Sequence, residues 1–362
     1  MADARRARLA GLLVALAVVA AAGTGYLLLA RNYGAPGPAP AVVRLQVRPG
    51  QTLRGALAIL SARGAVSHPR AVALYLKLRR LNPRLELGTY DIPPHASPAE
   101  IIGMFDEGRV VLDQITVVEG ATFAEFRHEL DADPDVAHTL TGKSDAQVMA
   151  ALGHPNESPE GRFFPDTYWF SPGTTDLTLL RIAYQRMSAV LTRVWRQRRS
   201  DLPFDSPYQA LILASMVEKE TGVADERGRI AGVFVNRLSR GMRLQSDPTV
   251  IYGLGARYDG KIHTRDLTTD SPFNTYTRAG LPPTPICLPG LESLLAAVHP
   301  DHTQDLYFVA TGKGGHRFSK TLAQHDAELR RYLEQLRREE RSSARRCAAG
   351  AGAACTGPAE HR

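Results

Sequence analysis

The longest uniform pattern in the chain is apolar: from Leu9 to Ala30 (LAGLLVALAVVAAAGTGYLLLA) no charge interrupts it. That is about the 20 apolar residues needed to cross a bilayer core. Arg5, Arg6 and Arg8 precede the run. The positive-inside rule therefore predicts a cytoplasmic N-terminus, with everything after Arg31 outside. A cleaved signal peptide is the alternative, with Ala20-Ala21-Ala22 as its small-residue site. The run continues through Tyr26-Leu27-Leu28-Leu29, beyond such a site, which favours an uncleaved signal anchor over residues 1–31. Residues 32–41, with their GAPGPAPA stretch, read as a Gly/Pro/Ala linker that holds the rest off the membrane.

Past the linker the periodicity changes. Val43 to Val47 alternates as a strand, and Pro49-Gly50 marks a turn. Leu53, Leu57 and Leu60 recur on one helix face. A second helix is expected over His68 to Leu81 and a returning strand over Gly88 to Ile92. Ser97-Pro98-Ala99-Glu100 starts another helix, with Ser at the N-cap, Pro at N1 and Glu at N3. The order strand, helix, helix, strand behind a Pro-Gly-Gln-Thr-Leu opening resembles a LysM module, a small fold associated with chitin-like and murein glycans. Its strands are further apart in sequence than in a plain LysM, and a generic packing module has the same order. We take residues 42–112 as this LysM-like module and 113–340 as a second, larger domain. In the latter, Gln114 to Val118 reads as a strand, and helices are expected near Phe123 to Leu130 and over Leu177 to Arg196. Glu160 to Gly173 (EGRFFPDTYWFSPG) concentrates aromatics that suit a core or interdomain plug, with a role in lining a sugar groove left open. After Arg341 the chain is rich in Ala, Gly and Arg, and residues 341–362 are expected to be disordered. The whole reads as an α+β protein.

Composition adds mainly exclusions. With 44% hydrophobic and 22% charged residues in 362, the chain is an ordinary globular one. Its net charge of +7 gathers at the two ends, where solvated tails are the simplest account, and no nucleic-acid motif accompanies it. Cys287, Cys347 and Cys355 lack metal-ligand spacing; whether Cys347 and Cys355 pair is left open. The histidines show no HExxH-like pattern, so neither metal nor cofactor is implied. Thr311 to His316 (TGKGGH) lacks the GxxxxGK[ST] spacing of a phosphate loop. It reads instead as the turn of a hairpin between Leu306–Ala310 and Phe318.

The chemistry concentrates in one helix. Ser206-Pro207-Tyr208-Gln209 is a strong helix start. ALILASMVEKET comes next, and Gly222 suits the position just past the end. From Ala210 to Val217 only Ser215 is not apolar, so the helix is expected to be buried all round. It ends in Glu218, Lys219 and Glu220. The helix C-terminus and desolvation both disfavour a negative charge there. Both push a carboxyl pKa upward, as a general acid at neutral pH requires. Glu218 and Glu220, two apart, do not share a face. Glu220 lies with Leu213, Met216 and Val217, an apolar setting that selects it over Glu218.

ASMVEKET, VFVNRL (Val233 to Leu238), GMRLQSDPTVIYG (Gly241 to Gly253), SPFNTYTRAGLPPTPI (Ser271 to Ile286) and LYFVATGKGGHRFS (Leu306 to Ser319) together resemble the signature set of the MltG/YceG-like family of endolytic murein transglycosylases. The resemblance implies a catalytic domain with a lysozyme-like glutamate helix elaborated by strands. It implies that Glu220 is the catalytic acid/base and that Gln245, Asn274 and Tyr276 line the sugar site. Glu218, Asn236 and Asp247, in the same motifs, complete the expected substrate-binding set. It further implies cleavage of nascent peptidoglycan strands with 1,6-anhydromuramic acid ends. The enzyme would sit at the inner membrane, beside peptidoglycan synthases, with its catalytic domain in the periplasm. Two rivals stand beside this reading. One is a muramidase using Asp247 as second carboxylate, although Asp before Pro is commonly a turn-former. The other is a non-catalytic peptidoglycan-binding scaffold, which would not need an acid on a buried helix.

Overall fold

The fold comes from a computed structural model, which describes residues 2–348 apart from Pro49 and Lys313. The chain forms two compact units. The smaller comprises residues 1–114, 135–137 and 169–174; the larger comprises 115–134, 138–168 and 175 onward.

In the smaller unit α1 (Ala2–Gly34) is followed by β1 (Val43–Val47), α2 (Leu53–Ala62), α3 (Pro69–Leu78), β2 (Gly88–Ile92) and α4 (Pro98–Asp106). Strands β1 and β2 are antiparallel, with Val43 opposite Ile92 and Val47 opposite Gly88. Alternation turns Leu45 and Val47 inward, onto Leu57 and Leu60 of α2, Val72 and Leu76 of α3, and Ile101 and Phe105 of α4. On the outer face Arg44 and Asp91, directly opposite, form an exposed ion pair at 2.8 Å. The Ser97–Glu100 capping box forms as expected. Helix α3 is shorter than its apolar spacing suggests. Arg80 turns left-handed (φ 54°), and its N–H and that of Leu81 return to the carbonyls of Lys77 and Leu76. This is a Schellman ending with arginine where glycine is usual, so the sequence carries no stop signal. Within this unit Tyr33 of α1 stacks on Tyr75 at 4.6 Å. From Leu9 to Gly34, α1 is long and apolar enough to cross a membrane.

Strands β3 (Asp113–Thr116) and β4 (Thr167–Phe170) pair, and along them the chain passes from one unit to the other. The aromatic segment around β4 divides. Phe163 and Tyr168 are buried in the larger unit, whereas Trp169 is 62% exposed.

The larger unit contains α5 (Phe123–Ala132), α6 (Asp145–Leu152), α7 (Asp176–Arg196), α8 (Pro207–Glu220), α9 (Arg227–Ser239), α10 (Asp247–Leu254), the short α11 (Thr264–Thr268) and α12 (Leu291–Val298). A hairpin of β5 (Tyr307–Ala310) and β6 (His316–Ser319) and the final α13 (Leu322–Ala348) complete it. Helix α8 is the axis of its core. Leu211, Leu213, Met216 and Val217 pack with Met187 and Leu191 of α7, Ile230 and Phe234 of α9, and Leu294 and Val298 of α12. Thr311 and Gly315 close the hairpin turn, the Thr311 N–H donating to the Gly315 carbonyl. Helix α13 runs to Ala348, so helical backbone extends past Arg341 into the expected disordered tail. The rest of that tail, including Cys355, lies outside the described residues, as does Pro49 of the expected turn.

Candidate active site

The site begins with how α8 starts and stops. Ser206 Oγ accepts from the Gln209 N–H, while Gln209 Oε1 accepts from the Ser206 N–H, closing a capping box with Pro207 at the first helical position. A cap of this kind contributes about 1 kcal/mol. Everything from Ala210 to Val217 is buried. The helix ends at Glu220 because Thr221 turns extended (φ −147°, ψ 135°). Gly222 therefore supplies no left-handed cap, contrary to the sequence expectation; Thr221 Oγ1 accepts from the Val223 N–H instead. Glu220 is thus fixed at the end of a helix that runs through the core.

Ser246 Oγ donates to Glu220 Oε1 at 2.5 Å. Burial pushes the Glu220 carboxyl up to about 7. The Ser246 hydrogen bond opposes the rise, the charge of Asp247 adds to it, and that of Arg237 opposes it. The carboxyl is enclosed by protein atoms, yet the residue keeps partial solvent access, which proton exchange requires.

The loop between α9 and α10 and the segment after α11 bring the partners together. Gln245 is left-handed (φ 51°), a conformation that costs a non-glycine residue about 1–2 kcal/mol. Its N–H donates to the Thr275 carbonyl, and the Ser246 N–H donates to Thr275 Oγ1. Ser246 occupies the N-cap position of α10 but makes no cap bond with its side chain; its hydroxyl goes to Glu220. Asp247, expected in a turn, is instead the first residue of that helix and accepts from the Tyr276 hydroxyl at 2.6 Å. Burial, then Asp247, raises the Tyr276 phenol well above its usual range. Beneath lies Arg237, only 7% exposed. It donates to the carbonyls of Leu306 and Leu244 and reaches Gln245 Oε1 at 3.5 Å. Glu220, Gln245, Asp247 and Tyr276 thus form one connected group.

The other expected contacts are placed differently. Asn274 is 1% exposed; its amide donates to the carbonyls of Asp266, Leu267 and Thr269, and its oxygen accepts from the Tyr276 N–H. Both polar ends brace the loop. Asn236 donates to the carbonyls of Thr303 and Asp305, tying α9 to the segment before β5. Glu218 accepts from the Gly290 N–H at the start of α12 and lies 3.9 Å from Arg227. Ser246 and Arg237 are the partners that sequence reasoning missed. A serine just ahead of Asp-Pro looks like a cap, and only its missing cap bond in space reveals another role. Asp131, His138 and Asp176 converge in the manner of metal ligands. However, Asp176 already accepts from the N–H groups of Thr139 and Leu140 and from the Thr139 hydroxyl, which accounts for its burial.

A sequence profile of the YceG-like family matches residues 45–331. A Bacillus subtilis protein named endolytic murein transglycosylase is 31% identical over 317 residues, covering 80% of this chain and 85% of that protein. A Streptococcus pneumoniae protein of the same name is 26% identical over 308 residues, 76% of this chain but 55% of its own longer one. The crystal structure of a yceG-like protein from Listeria monocytogenes aligns over 79% of this chain and 98% of that one, with 26% identity and a TM-score of 0.48.

Proposed function

The chain belongs to the YceG-like family, and on that footing we propose that it is an endolytic murein transglycosylase with Glu220 as acid and then base. The observation that carries the reading is a carboxyl at the end of a buried helix, raised to about 7 and held by Ser246. A group titrating near neutrality both gives and takes a proton, as the reaction requires.

In the first step Glu220 donates its proton to the glycosidic oxygen between muramic acid and the following sugar. The C1–O bond breaks, the following sugar leaves with a free hydroxyl, and C1 takes on oxocarbenium character. The N-acetyl carbonyl of the same sugar shields that charge. In the second step the 6-hydroxyl of the muramic acid attacks C1 and Glu220, now a carboxylate, takes its proton. A 1,6-anhydro ring closes, and proximity favours this internal attack over water. Gln245, Asp247 and Tyr276 would orient the sugar and stabilise charge; Asn274 braces the segment that carries Tyr276, Asn236 ties down α9, and Glu218 joins α8 to the start of α12.

The same reading makes α1 a single-pass inner-membrane anchor with its N-terminus cytoplasmic. The β1-α2-α3-β2 unit is then a LysM-like module, and the catalytic domain faces the periplasm. There it would cut nascent strands beside their synthases and so terminate elongation. A muramidase using Asp247 is the second reading, favoured by the nearness of that carboxylate to Glu220. The Tyr276 hydroxyl, donating to Asp247, weighs against its acting as a base. Mass spectrometry of strands digested by the purified protein separates the two. Internal cuts with anhydro ends, reduced about 10²–10⁴-fold in Glu220→Gln, are expected. Reducing ends would replace this mechanism with the hydrolytic one, and full activity of the variant would remove Glu220 from it.

A further inference from the structure

Helix α7 has a second side that the catalytic reading does not use. Its buried stripe of Leu180, Met187, Leu191 and Val194 faces the core. Its opposite face lines a cleft of about 540 Å³, closed on one side by the end of α6 and by His154. Arg181, Arg193 and Arg196 line this cleft and no acidic residue does. None of the three arginines has an ion-pair partner among the described residues. Glu157, beside the lining residues His154 and Tyr184, is occupied, accepting from the Tyr184 hydroxyl and facing Arg162. Arg193 and Arg196 sit in the last turn, where cations offset the helix carbonyls. Arg181 does not share that explanation.

We propose that this cleft is a binding site for the carboxylate-bearing stem peptides of a peptidoglycan strand, separate from the site that cuts its sugar backbone. The assignment rests on the proposed function. Arg181 and Arg196 lie about 20 Å apart along the helix, with neutral Gln185, Ser188 and Thr192 between them. That spacing suits an extended chain with separated carboxylates rather than a small anion. Stacked His154 and Tyr184 rings, 4.2 Å apart, add an apolar wall. A flat bilayer surface meets charges on a flat or convex face and would leave this recess unfilled. Guanidinium groups engage carboxylates bidentately, and in a peptide-bearing strand the free carboxylates belong to the peptides, because the lactyl carboxyl of muramic acid is tied up as an amide.

The test uses the full chain in detergent, with two substrates: uncrosslinked strands carrying their peptides, and the same strands stripped by an amidase and then converted to primary amides at the lactyl carboxylates this exposes. Arg193→Glu/Arg196→Glu should raise KM on peptide-bearing strands about tenfold, with kcat kept. On stripped strands it should change neither. Arg181→Glu, exposed in the second turn of α7, should act in the same direction and guards against damage to the end of the helix. High salt should erase the wild-type preference for peptide-bearing strands. Equal losses on both substrates, or none on either, overturn the proposal. So does reduced binding to phosphatidylglycerol vesicles with strand binding unchanged, which would make the face a membrane contact. Co-sedimentation of Glu220→Gln protein with each strand type reads binding without cleavage. Failure of the catalytic reading therefore stays distinguishable from failure of this one.

Discussion

Ser246 works against burial at Glu220. A hydroxyl donating at 2.5 Å to a carboxyl favours its charged form. Burial favours the neutral form more strongly, and the balance is a group near 7. Ser246→Ala removes only the charge-favouring contact, so Glu220 should rise further. The alkaline limb of the pH–rate profile, where the acid is lost, should move up by roughly one pH unit for a contact of about 1.5 kcal/mol. Measuring kcat between pH 5 and 9 for both proteins decides it; an unmoved limb would mean that the hydroxyl does not tune the acid. How legible this group was depends on the kind of signal. Glu220 could be chosen over Glu218 because helical spacing puts Leu213, Met216 and Val217 beside it. Asn274, Asn236 and Glu218 could not be assigned that way, since their hydrogen-bond partners are backbone groups whose placement only the tertiary fold creates.

Helix ends show the same division. The starts of α4 and α8 were written locally in Ser97/Glu100 and Ser206/Gln209. The endings at Arg80 and Thr221 were not, because neither residue is the glycine that usually marks a stop. The start of α10 was hidden for a related reason: its N-cap serine is turned to Glu220. At its other end Tyr252 donates to Glu160 Oε2 at 3.0 Å, and the Phe123 N–H donates to Glu160 Oε1 at 3.0 Å, so one buried carboxyl joins α10 to the start of α5. Burial pushes that carboxyl up to about 7, opposed by these bonds. Because the folded value lies above the unfolded one, the fold favours the protonated form. This stability is fully present below about pH 4.5 and is lost as pH rises through about 7, at most about 3 kcal/mol. Glu220 titrates in the same direction and window. Urea unfolding at pH 5 and pH 8 should show a steep loss in the wild type, a shallower one in Glu160→Gln, and little in Glu160→Gln/Glu220→Gln. Identical slopes in all three proteins would show that neither carboxyl is coupled to folding.

At the scale of the whole molecule the apolar part of α1 poses a problem of solvent. Leu9 to Gly34 spans 26 residues, and none of its apolar window is buried among the described residues. Monomeric proteins in water rarely carry so large a continuous apolar surface, whereas a helix of this length matches a bilayer core. The larger unit's core draws on α7, α8, α9 and α12 and takes no residue from α1. The packing of α1 within its own unit is local, chiefly Tyr33 on Tyr75, a pair of the kind that contributes about 0.5–1.5 kcal/mol. Anchoring and catalysis should therefore separate. Removing residues 1–34 should move the protein from the membrane pellet to the alkaline-carbonate supernatant, with kcat on soluble strands kept within about twofold, because the residues proposed to act on the substrate lie in the larger unit. Leu16→Arg in the full chain should weaken membrane retention without touching kcat, since a charge at the centre of a span costs about 2.5–3.5 kcal/mol. If the truncated protein stayed in the pellet, α1 would not be the anchor. If it were soluble and folded but inactive, the apolar helix would contribute to catalysis and the two functions would not be separable.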